Sequence, residues 1–166
     1  MIIVKDSMVL IHLAKTSLLE PACNMFGIVL IPELVHSEIL LGKDDHPQDV
    51  EAIQTVIKEK RITVKSIRSL DFIRRANQFN IQGGEAESVA LYWQEQAAYL
   101  ATDDDNVRKK KEALKLNLIG TPAIMIRLIR DKQISKNQYL RAVKKLKEVG
   151  WFGSTVYDVL LMEVAS

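Results

Sequence analysis

A single cysteine, Cys23, stands in 166 residues, so no disulfide can form within the chain, and neither a paired-cysteine redox motif nor a cysteine-histidine zinc cluster can be built. A reducing, cytoplasmic setting is the expectation. Histidine is nearly as scarce. His12, His36 and His46 have no ligand spacing, and His46 falls in the polar loop Lys43-Asp-Asp-His-Pro47, so it is expected to be exposed and a histidine-based metal or nucleophile site is not expected. No apolar run approaches the roughly 20 residues needed to span a bilayer, and the first residues, interrupted by Asp6, have neither the length nor the flanks of a signal peptide. No membrane partner is therefore expected. A net charge of only +2 supplies no global field for nucleic acid, which would have to be held by a local patch. The glycine pair Gly83-Gly84 is no phosphate loop, because the lysine and hydroxyl residue of such a loop are missing.

The remainder has an ordinary globular balance, 48% hydrophobic and 27% charged, which argues against disorder and for one domain over residues 1–166. Short β-branched runs at Ile2–Lys5, Ile28–Ile31 and Ile62–Val64 read as buried strands, joined by Tyr99–Ala101 and Leu116–Ile119. Helical periodicity fills the gaps: Val9–Ala14, Leu18–Phe26 with Gly27 as stop, Pro32–Leu41 with Gly42 as stop, Val50–Ile57, Leu70–Phe79, Gly83–Ala97 and Ala123–Arg130. Strands alternating with helices in this way predict an α/β fold with a mainly parallel sheet. Residues 133–166 predict a C-terminal helical extension, Ser135–Val149 and Ser154–Val164, joined across Gly150-Trp-Phe-Gly153. Their apolar residues would cover the sheet or a partner subunit, and the sequence does not choose.

The chain is organised around Tyr99-Leu-Ala-Thr-Asp-Asp-Asp105, an apolar run that stops in three consecutive carboxylates. Two unit charges about 4 Å apart repel by roughly 4 kcal/mol at an effective dielectric near 20, so a cation is the natural visitor. Ligands of open α/β sheets bind beyond the carboxyl ends of the strands, where strand order reverses. An Asp here also suits a helix N-cap. Asp6 occupies the same kind of position after the first run, where Asp6 or Ser7 would cap the helix, Ser7 being the expected one. On the helix after Pro32, Glu38 lies beside apolar positions and is the site candidate, whereas Glu33 complements the helix dipole in the first turn. After Gly83-Gly84, Glu85 and Glu87 sit on opposite margins of an apolar stripe, and periodicity does not say which faces a site. The candidates are thus Asp6, Glu38, Glu85 or Glu87, and Asp103 or Asp104. An all-oxygen set of this kind suits Mg²⁺ or Mn²⁺, which keep waters and share carboxylates with substrate phosphate. Arg108-Lys-Lys-Lys111 forms a basic turn beside the acids, readable as a solvated face or as a phosphate contact through Arg108 and Lys109.

Four pieces, Val4-Lys-Asp-Ser-Met-Val-Leu-Ile11, Ile31-Pro-Glu-Leu-Val-His-Ser-Glu38, Gly84-Glu-Ala-Glu-Ser-Val-Ala-Leu91 and Leu100-Ala-Thr-Asp-Asp-Asp105 with Arg108, resemble in order and spacing the PIN (PilT N-terminal) domain ribonucleases. The branch they resemble is that of the toxins of prokaryotic toxin-antitoxin pairs. Gly120-Thr-Pro122 and Val149-Gly-Trp-Phe152 resemble its C-terminal part. The resemblance implies a three-layer α/β/α sandwich and metal-dependent endonucleolytic cleavage of RNA. It also implies a homodimer and a small antitoxin partner. It carries the metal-binding, catalytic acids over as Asp6, Glu38, Glu85 and Asp104, with Glu87 and Asp103 as alternatives, and the site hydroxyls as Ser7 and Thr102. Lys5 stands where that family usually has an apolar or small residue, and Met8 where it has a small one. The rival reading is a PIN-like fold that binds RNA or protein without catalysis.

Overall fold

The structure, a computed structural model, describes residues 1–150 and 152–165. Five strands form, β1 (Ile2–Lys5), β2 (Ile28–Pro32), β3 (Ile62–Lys65), β4 (Tyr99–Ala101) and β5 (Leu118–Ile119). They pair in parallel in the order β3-β2-β1-β4-β5. Helices α1 (Ser7–Lys15) and α2 (Leu19–Phe26) connect β1 to β2, and α3 (Glu33–Leu41) and α4 (Pro47–Lys58) connect β2 to β3. Next, α5 (Leu70–Gln78) and α6 (Gly83–Gln94) lead to β4, and the short α7 (Asp105–Lys109) and α8 (Lys111–Leu114) lead to β5. Three helices close the chain, α9 (Thr121–Arg130), α10 (Lys136–Val149) and α11 (Ser154–Met162).

Successive residues of a strand point to opposite faces, and the buried positions of β1 divide accordingly. Ile3 enters a core with Leu10 and Leu13 of α1, Phe26 of α2, Ile53 of α4 and Met125 of α9. Val4 enters a second core with Ala86 and Val89 of α6, Val107 of α7 and Leu114 of α8. The result is a three-layer α/β/α sandwich. Its strand order puts a switch point at β1 and β4, because the chain builds outward from β1 through β2 to β3 and then returns to β1's other edge for β4 and β5. Among the described residues no helix is long and apolar enough to cross a membrane.

Two sequence expectations change in detail. The last strand begins at Leu118 rather than Leu116, because Lys115 takes a left-handed backbone (φ 54°) and the Leu116 N–H returns to the Lys111 carbonyl at 2.9 Å, closing α8. The C-terminal helices cover their own sheet: Tyr139, Val143 and Leu146 of α10 and Tyr157 and Leu160 of α11 join the Ile3 core. The Tyr139 hydroxyl donates to the Leu160 carbonyl at 2.8 Å and the Tyr157 hydroxyl to the Leu146 carbonyl at 3.2 Å, which ties the two helices together. Trp151, in the expected Gly150-Trp-Phe-Gly153 joint, lies outside the described residues.

Lys5 departs from the apolar character of its strand. It sits on the Ile3 side, fully buried, with no hydrogen-bond partner for its Nζ among the described residues. Its ammonium lies 5.5 Å from the centroid of the Phe26 ring, the best compensation in reach. Burial lowers its pKa to about 8, opposed by Cys23. Because the charged form is disfavoured in the folded state, the penalty is complete below pH 8 and gone above the unfolded value of 10.5. Lys5→Met should therefore raise the free energy of unfolding at pH 7 by about 3 kcal/mol. In urea titrations that gain should shrink steadily as the pH rises from 8 to 10.5.

Candidate active site at the switch point

Asp6 continues the ladder of β1 for one residue, its N–H donating to the Ala101 carbonyl at 3.0 Å, and then its side chain starts α1 by accepting the Val9 N–H at 2.9 Å. The helix cap is thus Asp6 and not Ser7. The extended backbone of Asp6 (ψ 171°) is the last before the helix, and Ser7 already lies in the first turn. Thr102, the residue after β4, donates its hydroxyl to the Asp6 carboxylate. Burial is the main reason the Asp6 pKa rises to about 7, against those two hydrogen bonds, and the carboxylates of Asp103 and Glu85 push it further.

Glu38 reaches from α3 to the start of α6, where one oxygen accepts the Gly84 N–H at 3.1 Å and the other the Ser7 hydroxyl at 3.4 Å. A Cβ at residue 84 would stand 2.4 Å from the Glu38 carboxylate, so only glycine permits this approach. The preceding Gly83 has a left-handed backbone (φ 61°). The two glycines therefore do different work, one turning the chain into α6 and the other making room for an acid. Glu85 and Glu87 part here. Burial and the neighbouring carboxylates of Asp104 and Glu38 raise the pKa of Glu85, which joins it to the acidic group. Glu87 instead accepts the Leu34 N–H at 3.0 Å and caps α3, while Glu33 accepts the Ser66 hydroxyl at 3.1 Å.

The Asp triplet separates into three environments. Asp104 caps α7 by accepting the Val107 N–H at 2.8 Å, and its own N–H donates to the Thr102 hydroxyl oxygen at 3.1 Å. Asp105 is the exposed first residue of that helix. Asp103 is buried, with Oδ1 accepting the Thr121 N–H at 2.8 Å, and Oδ2 accepting the Thr121 hydroxyl at 2.5 Å and meeting His12 Nδ1 at 2.8 Å. His12 is 2% exposed and its ring centroid lies 5.6 Å from that of Phe152. The expectation that His12 is isolated thus fails in space, since 91 residues of sequence separate it from its carboxylate partner. His46 is likewise not simply exposed: its Nδ1 meets the Lys15 ammonium at 3.1 Å, and Lys15 is paired with Asp49 at 2.8 Å. Thr121 and Gly84 were legible only as parts of turn motifs, and nothing in the sequence marked His12.

Asp6, Glu38, Glu85 and Asp104 come from four different segments and end at one edge of the sheet, linked through Glu85, which raises the Asp6 pKa and is itself raised by Asp104 and Glu38. Their donor atoms are all oxygen. Among the described residues no three acidic, histidine or cysteine side chains enclose a point tightly enough to hold an ion alone. That combination fits a hard cation retaining several waters and one or two carboxylates, and does not fit a closed all-protein cage. Beside the acids lies a cleft of about 630 Å³ into which Arg108, Lys109 and Lys111 project, with Thr102 and Asp105 on the acidic side. Lys110 turns away and binds the Phe79 carbonyl and, at 2.6 Å, the Asn106 side chain.

A raised Asp6 pKa makes a signed prediction. The acid is neutral in both folded and unfolded chains below pH 3.8, and charged in both above pH 7, so the metal-free protein loses stability as the pH rises between those values. Asp6→Asn keeps an oxygen for the Val9 N–H and removes the charge. In chelator, urea titrations should show a flatter pH profile for the variant and, at pH 8, a gain of up to about 4 kcal/mol over the parent.

The family model described as "DUF3368: PIN domain" matches residues 2–166. No curated protein and no solved structure matches the chain. The match runs over all five strands and all the candidate acids, and agrees with the parallel three-layer architecture. This chain belongs to the PIN domain family, a nuclease-type fold.

Proposed function

We propose that this protein is a metal-dependent endoribonuclease in which Asp6, Glu38, Glu85 and Asp104 would hold Mg²⁺ or Mn²⁺ against a scissile RNA phosphodiester, one or two of them directly and the others through waters of the cation. The observation that carries the reading is the mutual repulsion at the switch point: burial and neighbouring acids raise the pKa of Asp6 and Glu85 together. A fold tolerates such repulsion where a cation relieves it in the working state. A divalent cation bound there supplies charge neutralisation on the phosphodiester and a more acidic water.

The chain's own residues do the positioning. Thr102 holds Asp6 with its hydroxyl and receives the Asp104 N–H, so one residue sets two acids at once. The Gly84 N–H and the Ser7 hydroxyl fix Glu38. Asp103, held by His12 and Thr121, anchors the backbone between Thr102 and Asp104 and is a positioning residue, not a ligand. Arg108 and Lys109 take substrate phosphate in the adjoining cleft. The toxin role, a small antitoxin partner, a homodimer and a cytoplasmic setting belong to the same proposal, on the strength of the resemblance.

Paired carboxamide variants give the sharpest test. Glu85→Gln and Asp6→Asn should each slow Mn²⁺-dependent cleavage of a fluorescent single-stranded RNA by at least about a hundredfold, the upper range seen even for residues that only support a metal's ligands. Glu87→Gln should cut at close to the parental rate and instead lower stability by about 1 kcal/mol through the weakened helix cap. Loss of cleavage in Glu87→Gln with retention in Glu85→Gln would overturn the assignment. For the basic turn, Arg108→Gln should weaken RNA binding at every sequence tested and flatten the plot of log affinity against log salt by about 0.7.

A further inference from the structure

A second cavity opens beside the acids and shares no lining residue with the basic cleft. It is about 260 Å³, lies between α1 and α3, and shares Ser7 and Glu38 with the acidic group. Its character is the reverse of the first. Met8, Ile11, Ile39 and Val149 form apolar walls, and no arginine lines it. The lysine at its rim, Lys15, is already paired with Asp49 at 2.8 Å and meets His46 at 3.1 Å. A phosphate entering here would face the Glu38 carboxylate with no unpaired cation to receive it. A flat, uncharged ring would find apolar walls along its faces and the polar Lys15–His46 rim for its edge.

Resting on the nuclease reading, we infer that the substrate strand crosses the sheet edge from one cavity to the other. One unpaired nucleobase of the nucleotide flanking the scissile phosphate sits between α1 and α3, and the phosphates beyond it lie along Arg108, Lys109 and Lys111. A base held in a duplex would have to be unstacked and unpaired, at a cost of a few kcal/mol, before it could enter, whereas bases of loops and single strands are already available to a side-chain pocket. Met8 is a half-buried wall of this cavity and becomes a residue that reads the base.

Binding without cleavage tests this. In EDTA, fluorescence anisotropy would compare an eight-nucleotide oligouridylate with an abasic ribose-phosphate oligomer of the same length and charge, and with the oligouridylate paired in a duplex. Repulsion from the acids acts alike on the two charge-matched single strands and cancels from their ratio. The single strand should bind at least about tenfold tighter than the abasic oligomer, a difference of about 1.4 kcal/mol, and the duplex should show no gain over the abasic oligomer beyond that of its second strand of phosphates. Met8→Trp and, separately, Ile11→Trp fill the cavity and should bring the ratio to within twofold of one while leaving abasic binding unchanged. Equal binding of the base-bearing and abasic strands by the parent, or a ratio that neither tryptophan alters, would overturn the inference. A parent that discriminates bases but never cuts RNA in Mn²⁺ would overturn the nuclease reading and leave the base pocket standing.

Discussion

The pairing of β1 with β4 is the constraint on which the rest of the molecule depends. It is short, three residues in register from Ile3 opposite Tyr99 to Lys5 opposite Ala101, yet it joins segments nearly a hundred residues apart. Because both strands run the same way, both end at the same edge, and the hydrogen bond from the Asp6 N–H to the Ala101 carbonyl carries the register one step past the sheet. That step sets Asp6 beside Thr102, whose hydroxyl then serves Asp6 and Asp104 together. In an antiparallel pair the two chain ends would have left from opposite edges and the acids would never have met.

Charge accumulates at that edge in opposition to the stability of the fold. Both Asp6 and the neighbouring Lys5 are buried ionisable groups held away from their ordinary pKa by loss of water, the acid upward and the amine downward. They point to opposite faces of the sheet and do not neutralise each other, so each is a separate burden on the folded state. The hydrophobic layers on either side absorb it, with the central strands buried between helices on both faces. The proposed nuclease function gives the acids a reason to be where they are. Among the described residues the lysine has the Phe26 ring and the neighbouring Cys23.

Fold and site were legible to different depths, for physical reasons. Strands buried on both faces read as continuous β-branched runs, and helices with one apolar stripe read as periodic, so element order and the parallel sheet followed from side-chain pattern alone. Acids at strand ends were legible too, because a carboxylate there caps the helix that follows, as Asp6 and Asp104 do. The choice between Glu85 and Glu87 did not follow. They are two residues apart on one helical turn, and what separates them is that the Leu34 N–H needs a cap and Glu87 is within reach. The partnership of His12, Asp103 and Thr121 is invisible for the same reason: it is made by tertiary approach, and its members have no spacing in the chain to announce it. Ser7 was misread as a cap because Asp and Ser are equally good caps, and only the backbone angle of Asp6 decides between them.

The Asp103–Thr121 contact links the acidic edge to the first turn of α9, and through α9 to the packing of α10 and α11. Synthesis proceeds from the N-terminus, so the last of the four acids, Asp104, leaves the ribosome before Thr121 does. A nascent chain therefore carries a complete set of acids before it carries the clamp that fixes the peptide segment between two of them. Vectorial synthesis thus separates in time the making of the acidic group from the completion of its clamp, since His12 is already present when Asp103 emerges and Thr121 is not.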